Sequence, residues 1–371
     1  MRKISSLFLA SFFFLALSSA AFAEAPEISI NPRLLLQPRL ELTQDGNMTG
    51  DGWGTDWYMK RVRPMLSGNV TKWVHFFFEA DNPNFGKGGN FNTSFFVQDA
   101  VIMFRFMPEF NLHVGLLLPS FVRHGMQGAV SLNALSYHNL FSGKYIAGKV
   151  WRDMGVEARG VIGGMLTYDL GVYQGIRGTA CEEGVDCTPV NPDELPRVTA
   201  RVAYHFFDVD DGLFLQGIYH GKRKVLSVGL AADFQPDAVK DNAGALTNYM
   251  AFGADVMLNL PLNDRMEIAG QVNFVYFDRG YTGFGNDELV DPGTGYGIIA
   301  EAGFRYLEYE PVISTEMFMS DNDGGDISNM HVGFNYWIKG HNANVKLDYG
   351  LMKTGNADRK SQVVLQAQIL F

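Results

Sequence analysis

The sequence predicts an all-β protein, a transmembrane antiparallel β-barrel of sixteen strands. Three observations carry that prediction. Segments of about ten residues, the length of a tilted membrane-crossing strand, recur along the chain with apolar and polar side chains alternating. The first twenty-three residues read as an export signal. No later run approaches the roughly eighteen apolar residues that mark a spanning helix.

The export segment has a positive start at Arg2 and Lys3, an apolar middle over residues 7–17 and the small-x-small pattern Ala21-Phe22-Ala23. Its apolar stretch is too short to span a bilayer, which takes about 20 residues. Residues 1–23 are therefore expected to be removed, leaving 24–371 as one barrel outside the cytoplasm. Without Arg2 and Lys3 the 30 basic residues become 28 against 40 acidic ones, a formal charge of −12. That balance argues against nucleic acid as a partner, because binding phosphate backbones needs a basic surface. The chain is 47% hydrophobic and 13% aromatic with 41 glycines. Apolar residues spread thinly in alternation suit strands better than helices.

The strands follow in order. Over 33–42, Leu34, Leu36, Leu40 and Leu42 oppose Arg33, Gln37, Arg39 and Glu41. Over 72–81, Val74, Phe76, Phe78 and Ala80 oppose Trp73, His75, Phe77, Glu79 and Asp81. Ala100, Ile102 and Phe104 oppose Asp99 and Arg105, and Leu166, Tyr168, Leu170 and Val172 alternate with Thr167, Asp169, Gly171 and Tyr173. Met266, Ile268, Val272, Phe274 and Tyr276 oppose Glu267, Gln271 and Asn273. Near the end, Met330 to Ile338 and Ala343 to Tyr349 repeat the pattern, and Val363, Leu365, Ala367, Ile369 and Phe371 oppose Gln362, Gln366 and Gln368. A soluble sandwich also tolerates alternation. Two features favour a membrane: tyrosine and phenylalanine sit near strand ends, as in aromatic girdles, and connections alternate between long and short.

Residues 43–56, 82–94, 120–150 and 175–196 are long links; 67–69, 107–110, 161–164 and 207–212 are short ones. Long links are expected outside the cell and short turns in the periplasm, which places the barrel in the outer membrane of a Gram-negative cell. The rhythm slips over 213–235. Counting 213–220 and 224–234 separately gives seventeen strands, whereas a closed bacterial barrel needs an even number. Joining them as one long strand gives sixteen, the preferred count; a missed strand gives eighteen. Sixteen makes 260–265 and 339–342 short turns and 278–296 and 321–328 long loops. Cys181 and Cys187 enclose an acidic five-residue loop, and a disulfide is expected there after export.

Arg33, Arg39, Arg61, Arg63, Arg105, Arg159 and Arg201 fall on predicted inward faces, and Arg123 and Lys144 lie in or beside the 120–150 link. Guanidinium groups stay charged and bind oxyanions in a fork geometry, which suits a pore wall. Glu41, Glu79, Asp99, Glu157, Asp169, Glu267, Glu301 and Glu316 share those faces. Cross-strand pairing with these acids is a second use for each arginine, worth roughly 0.2–1 kcal/mol per pair. As a set, the arginines of the N-terminal half are expected to form a positive wall facing acids elsewhere, orienting polar solutes between them.

Catalytic signals are lacking. His75, His205 and His331 stand alone on inward faces, without a nucleophile motif beside them. The acidic run 321–326 lacks the ligand spacing of a calcium loop. No enzyme activity, metal or cofactor is expected.

Several segments resemble the phosphate-selective porin O and P family: Asp99-Ala100-Val101; Met107-Pro108-Glu109 leading to Asn111-Leu112-His113-Val114-Gly115; Pro119-Ser120-Phe121-Val122-Arg123; Arg152-Asp153-Met154-Gly155-Val156; Leu170-Gly171-Val172-Tyr173-Gln174-Gly175; and Phe252-Gly253-Ala254-Asp255. The resemblance implies a sixteen-stranded, commonly trimeric outer-membrane porin with a long loop folded inward, here 120–150. It implies that Phe371 acts as the terminal assembly signal and that arginines line the channel. The family's central lysines have no residue-by-residue match here. The function expected is a passive channel for small hydrophilic solutes, anions or phosphate among them, surrounded by lipid and lipopolysaccharide. A structural or adhesive barrel whose loops bind partners is the alternative; a barrel enzyme would need a nucleophile beside a histidine at the rim.

Overall fold

The computed structural model describes residues 28–138, 151–180, 188–240, 245–278, 294–321 and 325–371. The expected export segment, Lys144, Cys181 and Cys187 lie outside the described residues. The strands are β1 (Ser29–Thr43), β2 (Gly54–Asn69), β3 (Val74–Asp81), β4 (Phe96–Met107), β5 (Phe110–Leu117), β6 (Asp153–Ile162), β7 (Leu166–Tyr173), β8 (Gly178–Ala180) and β9 (Thr188–Val190). They continue with β10 (Arg197–His205), β11 (Val225–Lys240), β12 (Leu246–Asn263), β13 (Met266–Asp278), β14 (Gly295–Tyr306), β15 (Tyr309–Ser320), β16 (Ile327–Tyr336), β17 (Ala343–Thr354) and β18 (Lys360–Leu370). All but β8 and β9 form one closed antiparallel barrel of sixteen strands, each paired with its neighbours along the chain. β8 and β9 make a separate hairpin within the link from β7 to β10.

The barrel shuts where β1 meets β18, with Leu35 opposite Leu370 and Thr43 opposite Gln362. Closure removes sheet edges, so every strand finds backbone partners on both sides, the condition for crossing lipid. Alternation decides which face is which. Gln37, Arg39 and Glu41 are buried in the lumen, while Val172, Leu230, Val272, Ile313, Val332 and Ile369 stand exposed outside. Tyr309 and Tyr336 stack 5.3 Å apart at the turn end, and Tyr276 and Tyr296 lie 5.2 Å apart toward the loop end. Aromatic rings at both rims of an apolar band fit the two interfaces of a bilayer.

One expectation is corrected. Residues 213–220 do not join 224–234 in a long strand; β11 starts at Val225. The ladder between β10 and β11 continues slightly beyond the named strands, since the Phe206 amide donates to Leu226 O (2.8 Å) and the Asp208 amide to Lys224 O (2.9 Å). The chain between them, 209–223, turns into the barrel from the turn end. Its Leu213, Leu215 and Ile218 pattern imitates a strand because an extended segment inside a lumen also meets two different environments. Its polar backbone bonds to the other inward segment: Leu215 N–H donates to Met126 O (3.0 Å), Gly128 N–H to Leu215 O (3.1 Å) and Gly217 N–H to Ser131 O (2.9 Å).

Candidate functional site

The long link after β5 folds into the lumen over its described part, 118–138, and nearly all of that stretch is buried. Phe121 and Val122 enter an apolar cluster with Tyr249, Phe277 and Phe318. Glycine permits this approach: a Cβ at Gly253 of β12 would sit 2.2 Å from the Val122 side chain. Beyond lies a single 3₁₀ turn, Arg123–Met126. Its start is fixed by wall acceptors, as the Arg123 amide donates to Asp255 Oδ2 (3.1 Å) and the His124 amide to Asn273 Oδ1 (2.9 Å).

The far part of the loop is tied to the opposite wall. Lys346 of β17 points its ammonium at three carbonyls, those of Leu132 (2.7 Å), Asn133 (3.2 Å) and Ala134 (2.9 Å). Asn335 Nδ2 also donates to Asn133 O (2.9 Å), Gln368 Nε2 to Val130 O (2.9 Å) and Arg39 Nη2 to Ser136 Oγ (2.7 Å). The loop therefore spans the lumen between β12–β13 and β16–β1. Hydrogen bonds from a charged donor contribute about 1.5–3 kcal/mol each. Lys346→Met is accordingly expected to loosen 132–134, which Asn335 still ties to the wall, seen as faster amide exchange there with strand amides unchanged.

The 209–223 excursion is locked to this loop by a buried cation. Arg123 Nη2 donates to Asp210 Oδ2 (2.7 Å), Gln216 O (2.8 Å) and Tyr219 Oη (2.9 Å), and the Tyr219 hydroxyl in turn bonds Asp210. Two segments thus meet inside the barrel from opposite ends, with a cavity on each side. The turn-side cavity, about 380 Å³, is lined by Arg105, His113, Arg159, Asp169, His205 and Asp210 among others. The loop-side cavity, about 170 Å³, has Arg39, Lys60 and Arg61 on β1–β2 and Glu316, His331 and Asp348 on β15–β17.

The predicted arginines divide by partner. Arg63 bonds Glu79 (2.6 Å) and Asp81 (2.9 Å). Arg159 lies 2.5 Å from Asp169 and 3.5 Å from Glu157, and Arg201 bonds Asp255 and the Phe121 carbonyl. A Cβ at Gly229 would strike the Arg201 guanidinium at 2.5 Å, so glycine leaves room for that pair. Arg33 is exposed near the turn end of β1, and Arg105 is exposed toward the turn-side cavity. Arg39 and Arg61 differ, because their bonds go to neutral groups. Arg39 Nε donates to Gln366 Oε1 (3.0 Å), Arg61 Nη1 donates to Gln37 Oε1 (2.9 Å), and the Arg61 guanidinium lies 5.5 Å from the Tyr137 ring centre. Neither is ion-paired among the described residues.

Lys60 escaped the alternation argument. The β1–β2 register shifts between Gln37 and Pro38, and Lys60 is the unpaired extra residue between Arg61 and Met59. Such a bulge lets consecutive side chains share one cavity. Pro38, which lacks an amide donor, was the available signal. The histidines of the inner loop were also missed. His124 Nδ1 lies 2.9 Å and His138 Nε2 3.3 Å from Glu301 Oε1, a convergence that no local spacing encodes. His331, which stands alone in the sequence pattern, has its Nδ1 2.8 Å from Asp348.

Barrel, inward loop and charged lumen together make up a porin-like fold. Among solved structures, the outer membrane channel DcaP of Acinetobacter baumannii is similar (TM-score 0.59, 15% identity, 94% of this chain and 99% of that one). So are the anion-selective porin from Comamonas acidovorans (0.61, 13%, 93% and 100%) and Salmonella typhi OmpF (0.59, 13%, 92% and 97%). At these identities the likeness is one of fold. No family model and no curated protein sequence matches the chain.

Proposed function

We propose that the protein is a passive channel for small hydrophilic solutes in the outer membrane of a Gram-negative cell, with a preference for anions. The observation that supports this best is the ridge of Arg39, Lys60 and Arg61 on one side of the loop-side cavity, facing Glu316 and Asp348. Elsewhere in the lumen the arginines Arg63, Arg123, Arg159 and Arg201 are matched by carboxylates. The ridge's two arginines are not, so positive potential is concentrated there. Fixed charges in a narrow, low-dielectric passage filter ions by sign. Oxyanions, phosphate among them, match the fork of the two guanidinium groups.

In this reading the links on the side of 44–53 face outward and the turns face the periplasm. The exposed apolar band contacts lipid, with lipopolysaccharide in the outer leaflet, and three copies assemble as a trimer. Residues 1–23 act as the export signal, Cys181 and Cys187 form a disulfide, and Phe371 serves as the assembly signal. Lys144, within the 120–150 link of the sequence, is assigned to the same positive set.

Stepwise conductance in planar bilayers is expected, with a reversal potential in a salt gradient that marks anion preference. Arg39→Ala with Arg61→Ala should lower the anion-to-cation permeability ratio severalfold; an unchanged ratio assigns both arginines a purely structural role. The filling of the lumen from both ends favours one rival, a structural or adhesive barrel. That rival predicts no conductance even after the 209–223 excursion is removed.

A further inference from the structure

The geometry points to a divalent transition-metal site inside the barrel, formed by His124 and His138 of the inner loop and Glu301 of β14. The three side chains are buried, and their ligand atoms all lie within 4.8 Å of one another. Glu301 Oε1 sits between the rings, 2.9 Å from His124 Nδ1 and 3.3 Å from His138 Nε2. Ligands about 2.0–2.2 Å from one zinc ion stand at comparable separations in tetrahedral geometry.

The surrounding groups aim these atoms. Gln271 Nε2 donates to Glu301 Oε2 (3.1 Å), which leaves Oε1 turned toward the imidazoles. Asn273 donates to Gln271 Oε1 (3.1 Å) and accepts the His124 amide (2.9 Å), so one pair of β13 side chains orients both the carboxylate and the loop. Glu316 Oε2 lies 3.8 Å from His138 Nδ1, on the side away from the proposed ion. At that distance it is an ion-pair neighbour rather than a hydrogen-bond acceptor; closing to about 3 Å would let it fix the ring of a ligating His138. His138 and Glu316 also line the loop-side cavity, which gives an ion from solution a way in.

One contact opposes binding. The His138 amide donates to His124 Nε2 (3.1 Å), which puts the proton of a neutral His124 ring on Nδ1. Ligation through Nδ1 requires that proton to leave and the amide to turn aside. One neutral hydrogen bond is a small loss beside the free energy of a closed metal site. Two imidazoles and one carboxylate select zinc, copper, nickel or ferrous ions over calcium and magnesium. The ion would join two points of the inner loop, fourteen residues apart, to the barrel wall.

Zinc is the probe. Full mature protein in detergent, with folding checked by heat-modifiable gel mobility, is titrated with Zn²⁺ by calorimetry. Cobalt substitution supplies an independent visible spectrum of a nitrogen-ligated, low-coordinate ion. One ion per chain is expected, with affinity lowered at least about 100-fold by His138→Ala and by the nearly isosteric Glu301→Gln. A roughly tenfold excess of Ca²⁺ or Mg²⁺ should not displace it, because these hard ions compete poorly for imidazole ligands. Absence of stoichiometric binding, binding that survives both substitutions, or equal competition by Ca²⁺ overturns the proposal. Binding is read without any current measurement, so this test and that of the channel can fail separately.

Discussion

Replacing residues 209–223 with a two-residue Asn-Gly turn is expected to raise single-channel conductance severalfold without opening the barrel. The wall does not depend on the excursion. Phe206 and Asp208 already bond across to Leu226 and Lys224, so a tight turn can close the hairpin where the chain now departs. What the lumen loses is bulk: Leu215, Ile218 and Tyr219 are buried inside it, and Leu215 and Gly217 brace the inner loop from the turn end. Both cavities should then merge around a loop held by the barrel wall alone. Planar-bilayer recording checks this directly, with gel mobility as the control for folding. A shortened protein that folds and conducts no better than the parent would sink the view that the excursion narrows the path.

The second large effect is expected from Arg123→Ala. Arg123 is 1% exposed and has three acceptors, Asp210, Gln216 O and the Tyr219 hydroxyl. Removing it leaves the Asp210 carboxylate buried, with Arg223 3.7 Å away as its remaining ion-pair partner. Breaking a buried ion pair by deleting one partner costs about 3–5 kcal/mol. Here the loss falls on docking between the two inner segments, because the strand ladder does not run through Arg123. The expected result is a lower thermal transition and greater open-channel noise. Asp210→Asn added to Arg123→Ala should recover part of the loss, since the buried carboxylate is then neutral and Arg223, its other partner, is exposed to water. If the double variant is no better than the single one, the guanidinium contributes through packing rather than charge.

Much of the wall was legible in the sequence because a membrane imposes one rule on every strand. Side chains alternate between lipid and lumen, so Gln37, Arg39 and Glu41 could be placed inside from spacing alone. Parity then chose sixteen strands. The count was right for a reason that needed correction: 213–220 leaves the wall altogether, and only β11 continues it. Alternation reports that an extended segment has two unlike sides. It does not report whether the greasy side meets lipid or the interior of the protein's own lumen.

The site was less legible. Arg39 and Arg61 read the same as Arg63 and Arg201 in the sequence, each an inward guanidinium with acids on nearby strands. Lys60 reached the cavity through a bulge beside Pro38, a one-residue departure that alternation cannot follow. His124, His138 and Glu301 are brought together by a loop crossing the lumen, which links residues far apart along the chain.

By itself, then, the order of residues determined the barrel, its strand directions and the side of the wall on which most strand charges lie, Lys60 at the bulge excepted. Those features follow from local periodicity and from the demand that backbone groups in lipid be paired. Only the tertiary structure decided which cations are neutralised, which remain bare, and that a second segment enters the lumen. Such outcomes depend on distances of a few ångströms between strands and inner segments distant in sequence, and Coulomb and hydrogen-bond energies change steeply over that range.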